Sequence, residues 1–260
     1  MFLPDALAGF GVGFMVGLTG VGGGALMTPI LVLLFGMPPA AAVGTDLWFA
    51  AITKIAGGAM HNSKGSVDWE VMRRLCVGSL PTSIVTLLWL HHSGGGQMRS
   101  GLIVNALGAV LVLTAIAMIL KGRSRGLGMR LRISDTDRFK HLQPPLTVAA
   151  GALLGFLVTL TSVGAGALGA VMLVYLYPFR MKPARLVGTD IVHAIPLTIV
   201  AGTGHLLMGN VELALLGKLL LGSLPGVLLG AHFSSKAPEG LLRPLIAAIL
   251  VLVGAKLLMN

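Results

Sequence analysis

Glycine is crowded into two short stretches, LTGVGGGAL from Leu18 and LTSVGAGAL from Leu160, and each is followed by VGTD, from Val43 and again from Val187. Glycine inside a helix costs about 1 kcal/mol relative to alanine, so such a density marks an interruption in whatever helix contains it. Where a new helix begins after the break, its first N–H groups lack partners and its dipole presents a positive end. Both features favour an anion. The candidate donors are the backbone of Gly22, Gly23, Gly24 and Ala25 in the first stretch and of Gly164, Ala165 and Gly166 in the second, with hydroxyls from Thr19, Thr28, Thr161 and Ser162 beside them. Lys54, about two turns into the next apolar run, would add charge attraction there, since a cation at that depth needs a cavity or a partner.

The VGTD motifs place Thr45 with Asp46, and Thr189 with Asp190, near the start of a following helix. Two roles stay open for the aspartates. They cap that helix, or they support the broken stretches through hydrogen bonds and take up protons. Direct contact with an anion is disfavoured by like charge. His193 lies at a depth comparable to Lys54 and is a further candidate for coupling or support, because imidazole changes charge near neutral pH. The remaining histidines, His61 and His205 among them, have no companion Cys or Glu at ligand spacing, so no metal is expected. No cofactor motif is present either, since no strand precedes the glycines and no Gly-Lys-Ser/Thr follows them.

The elements that hold these residues are membrane helices. Of the 260 residues, 55% are hydrophobic and only 11% charged, and the mean hydropathy is +0.90. The apolar runs are close to the ~20 residues that cross a hydrocarbon core as helix, and they lack the alternation of barrel strands. An all-α polytopic membrane protein follows. The net charge of +10 comes largely from LKGRSRGLGMRLRISDTDRFKH and a few short loops, a distribution that positive-inside orientation explains without nucleic acid. The opening residues carry Asp5 and no basic n-region, which points to a retained element rather than a cleaved signal. Cys76, the single cysteine, reads as a small buried residue.

The chain is a duplication. In the register set by VGTD, His61 pairs with His205, Gly65 with Gly209, Asp68 with Glu212, and GSLP from Gly78 with GSLP from Gly222. The first repeat, 1–121, contains a Gly-broken segment at 4–35 and spans at 42–61, 74–91 and 99–121. A basic linker at 122–145 is expected to be a cytoplasmic loop. The second repeat, 146–260, contains a broken segment at 146–175 and spans at 186–205, 218–234 and 243–258. Placing the basic YPFRMKPAR loop in the cytoplasm requires that each broken segment enter and turn back, with two arms of about 14 residues reaching mid-membrane. A hairpin plus three spans is an odd number of crossings, so the repeats would be inverted, as in many transporters. A kinked single span in each repeat, giving parallel repeats, is the alternative.

The segments GLTGVGGGALMTPIL followed by VGTDL, and TLTSVGAGALGAVML followed by VGTDI, together with the duplicated organisation, resemble the sulfite exporter TauE/SafE family of membrane transporters over nearly the whole chain. In the second copy Ala165 stands in place of Gly23, and Thr28-Pro29 has no counterpart. The resemblance implies permeation of sulfite, sulfoacetate or a related sulfonate or oxyanion. The expectation is therefore a multi-pass carrier of the plasma membrane, the inner membrane in a bacterium, with a small anion and the lipid bilayer as its partners. Uptake would need a coupling ion such as a proton. An anion channel of the same fold, or an intramembrane enzyme, are the competing classes.

Overall fold

The computed structural model describes residues 2–19, 24–63, 65–92, 96–134, 136–233 and 239–259. Among them the chain forms α-helices and no strand. The helices are α1 (Phe2–Thr19), α2 (Gly24–Leu33), α3 (Pro39–Ser63), α4 (Trp69–His92), α5 (Gly96–Ser134), α6 (Thr136–Thr161), α7 (Ala167–Leu176), α8 (Pro183–Leu207), α9 (Leu213–Phe233) and α10 (Glu239–Met259). Five of the six expected spans lie within one helix each, that at 218–234 coincides with α9 as far as Phe233 with its last residue outside the described ones, and each Gly-broken segment holds two helices, α1 with α2 and α6 with α7. Five helical stretches are long and apolar enough to cross a membrane, and large apolar side chains such as Leu207, Leu228 and Leu252 lie more than two-thirds exposed, the arrangement expected where lipid is the neighbour. The chain is a multi-pass membrane protein.

Two boundaries differ from expectation. The basic stretch between the repeats is helical, with α5 continuing to Ser134 and α6 opening at Thr136. Arg, Lys, Leu and Met are good helix formers and no proline interrupts them there. As a result the broken segments do not have equal arms: α6 has 26 residues and α7 has 10, and the part of α6 from Lys140 to Thr161 is long enough to cross by itself.

Packing crosses between the repeats on a two-fold plan. Helix α1 lies on α9 and α6 lies on α4, while α3 packs against α8 and α5 against α10. The crossings are made by small residues. A Cβ at Gly9 or Gly13 would run into the backbone of Leu219 or Ser223, and one at Gly222 or Gly226 into the backbone of Ala6 or Phe10. The same plan recurs where Gly151 and Gly155 meet Leu75 and Ser79, and where Gly78 meets Val148. Close backbone approach is how helices associate where lipid removes the hydrophobic drive between them, and it explains the recurrence of GSLP.

VGTD sews the repeats together at a second pair of points. The backbone N–H of Glu212 donates to Thr45 Oγ1 over 3.0 Å, and that of Asp68 donates to Thr189 Oγ1 over 2.9 Å. Each threonine of the motif thus holds the turn between two helices of the other repeat, where Gly65 and Gly209 both take positive φ.

Candidate functional site

The second break is visible in full. Ser162, with φ 60, and the positive-φ glycines Gly164 and Gly166 turn the backbone out of α6 and into α7. Thr161 accepts from the Val163 N–H over 3.1 Å and donates to Leu157 O over 2.7 Å, so its hydroxyl serves the turn itself rather than a ligand. No side chain caps the N-terminus of α7 at Gly166. Ser162, Val163 and Ala165 are buried, with Ala165 among Val43, Leu47, Ile103, Val158, Ala194 and Leu197. Irregular backbone enclosed by protein at this depth is the arrangement a membrane permits only inside a bundle or beside a cavity.

In the first break, Gly22 and Gly23 lie outside the described residues. So do the side chains of Thr19 and Ala25 and the surroundings of Gly24, although Thr19 ends α1 and Gly24 begins α2. Thr28, in the interior of α2, is fully buried.

Asp46 is the eighth residue of α3 and Asp190 the eighth of α8, so neither caps its helix. Both instead face the short arm of their own repeat. Thr28 donates to Asp46 Oδ2 over 2.5 Å, and a Cβ at Gly169 of α7 would overlap Asp190 Oδ1. The Ser162 hydroxyl of the other repeat's turn also faces the Asp46 carboxylate and stabilises its charge, although Asp46 Oδ1 and Ser162 Oγ do not complete a regular hydrogen bond. Lys54 is almost wholly buried and acts electrostatically on Asp46, Asp190 and His193. His193 is fully buried, and its Nε2 pairs with Ser79 Oγ at 2.9 Å. The residues that gather are therefore Thr28, Asp46, Lys54, Ser162, Asp190 and His193. Thr45 and Thr189 belong to the inter-repeat seams, and Thr161 to the turn. Ser79 is an addition that no local signal announces: GSLP is visible as a repeat, but its serine meets His193 only through folding. His205, buried, directs Nε2 to Thr159 O at 3.0 Å.

A second polar assembly lies at one end of the bundle. Asp68 precedes α4 and caps it, accepting the Val71 N–H at Oδ1 over 3.3 Å. Arg180, between α7 and α8, binds both oxygens of Asp68, with Nε to Oδ2 at 2.5 Å and Nη2 to Oδ1 at 2.7 Å, and also reaches Glu70 Oε2 at 2.7 Å. Arg74 pairs with Glu70 at 2.5 Å and donates to Tyr177 Oη at 3.2 Å, which meets Thr147 at 2.8 Å. Partial burial works against the charge of Arg180, but the hydrogen bonds and charges of Asp68 and Glu70 outweigh it and hold its pKa above the ordinary value. At the positions corresponding through the repeat there are Glu212, Ala214 and Lys218, and Lys218 pairs with Asp5 at 3.0 Å.

Comparison with known proteins agrees with this architecture. The family described as Sulfite exporter TauE/SafE matches residues 6–257. A Bacillus subtilis protein named probable membrane transporter protein YjnA is 40% identical over 99% of this chain and 100% of its own length. A second from the same organism, probable membrane transporter protein YdhB, is 26% identical over 94% of this chain and 97% of its own. Probable membrane transporter protein MJ0441 of Methanocaldococcus jannaschii is 28% identical over 79% of this chain and 72% of its own. No solved structure matches. The chain, a multi-pass membrane transporter, belongs to the sulfite exporter TauE/SafE family.

Proposed function

We propose that this transporter moves a small sulfur-containing anion, namely sulfite, sulfoacetate or a related sulfonate, across the plasma membrane by exposing a central site alternately to the two sides. The observation that carries the reading is the buried break at 162–166: an uncapped α7 N-terminus, with the Ser162 hydroxyl in the turn and the buried Lys54 acting electrostatically on Asp46 and Asp190. Peptide dipoles and one hydroxyl replace water around the anion, and Lys54 supplies its countercharge. The aspartates bracket Lys54 and support the short arms, and Asp46, Asp190 and His193 are the groups through which a coupling proton would pass.

The two-fold packing supports a duplicated carrier, and we read its halves as oppositely inserted, with the basic stretch between them in the cytoplasm. An inside-negative potential favours anion efflux by about 2.3 kcal/mol per charge per 100 mV. Export therefore can run uncoupled, and uptake needs a proton or another coupling ion.

Flux of sulfite, sulfoacetate, taurine, thiosulfate and sulfate into proteoliposomes tests the reading, with Ser162→Ala and Lys54→Met as site variants. Saturable flux of at least one sulfur anion, chemically intact after transport and reduced roughly tenfold by Lys54→Met, is the expected result. Flux that never saturates would mean a channel. A wild-type protein that moves none of the panel refutes the reading.

A further inference from the structure

His193 and Lys54 have no equivalents across the duplication. In the VGTD register His193 stands where the first repeat has Phe49, and Lys54 where the second has Thr198. One cation and one imidazole therefore break the pairing that Asp46 and Asp190 keep. Both are buried, Lys54 on α3 and His193 on α8, two helices that pack together, and the charge of Lys54 is felt at the His193 ring.

The ring has one nitrogen committed and one open. Nε2 meets Ser79 Oγ at 2.9 Å, while Nδ1 is buried without a partner among the described residues. Ser79 is itself fully buried, and His193 is its hydrogen-bond partner. If Nε2–H donated to Ser79, the serine proton would have no acceptor and Nδ1 would also stand unsatisfied. If Ser79 donates to Nε2, only the Nδ1–H remains without a partner. The second arrangement leaves fewer buried polar groups unmatched.

Resting on the anion-transport reading above, we infer that the Nδ1–H of His193 and the ammonium of Lys54 form the donor pair for the substrate's oxyanion head, with Ser79 as the positioning residue that sets the ring's tautomer. The ligand class is an oxyanion with at least two acceptor oxygens on one centre, one taken by the ammonium and another by the ring N–H. Because Phe49 and Thr198 supply neither group, the head's contacts are not repeated by the two-fold arrangement.

Two amide substitutions separate the ring's nitrogens. Asparagine places a donor near the position of Nδ1, and glutamine places one near Nε2. In full-length reconstituted protein with sulfite and methanesulfonate as probes, His193→Gln should raise the half-saturation concentration roughly tenfold. His193→Asn should stay within about threefold, and Ser79→Ala should fall between them. Nitrogen NMR of histidine-labelled wild-type protein, assigned through the loss of one ring's signals in the His193 variants, should show Nδ1 protonated before ligand is added and its shift moving on titration with sulfite. An unprotonated Nδ1, or equal losses in the glutamine and asparagine variants, overturns the inference. Binding by wild type with His193→Gln unchanged defeats it alone, whereas no binding of any panel anion by wild type defeats the transport reading on which it rests.

Discussion

A carboxylate shut away from water needs donors, and Asp46 draws one from Thr28. Removing that hydroxyl leaves the fully buried oxygen unmatched, so Thr28→Val should lower stability by about 1–3 kcal/mol, while Thr28→Ser retains most of it. Thermal unfolding of the purified protein in detergent measures both. The density of glycine, and a lysine and aspartates inside apolar runs, are locally visible in the sequence, and Thr28, Asp46, Lys54, Ser162, Asp190 and His193 are all among the residues it singles out. It did not bring out Ser79, which lies 114 positions from His193, nor that Thr161 turns its hydroxyl to its own turn. A hydroxyl's partner is decided by which helices meet, and no local pattern carries that.

Helix existence was legible, because each apolar run is close to a membrane's thickness. Helix ends were less so. The basic stretch read as a loop from its charge, yet charge on a helix that emerges into water costs nothing, and α5 runs on to Ser134. The unequal arms of the second break follow from that early start of α6. Small residues at four-residue spacing in α1 and α6, Gly9 with Gly13 and Gly151 with Gly155, form the packing faces that meet α9 and α4. Gly222→Leu should therefore force α9 away from Ala6 and destabilise by several kcal/mol, while Gly217→Ala, where a Cβ meets nothing, should be neutral or mildly stabilising. The comparison requires only melting temperatures. Thr45→Val and Thr189→Val test the seams: each leaves one loop N–H without its acceptor and should cost about 1–2 kcal/mol, with the double variant close to the sum because the two bonds share no residue.

Across the whole molecule the two ends are unequal. One carries the Arg180 assembly, in which Asp68 is nearly sealed by its partners, and the other, among the described residues, the Lys218–Asp5 pair. Arg180→Ala strands the Asp68 carboxylate and should destabilise by about 1–3 kcal/mol, less than a fully buried pair because the guanidinium is partly in solvent. The corresponding loss for Lys218→Ala should be under about 1 kcal/mol. Chemical unfolding of each variant beside wild type decides between them. The crossed packing also bears on how the protein is born. The Lys218–Asp5 pair joins residues 213 positions apart, and α1 rests on α9, so the first helix leaves the ribosome long before the surface it fits has been translated. Until then its glycine stripe faces lipid or the insertion machinery. A fragment stopping at residue 121 should be cleared by quality-control proteases, and co-expression of the missing portion should rescue it.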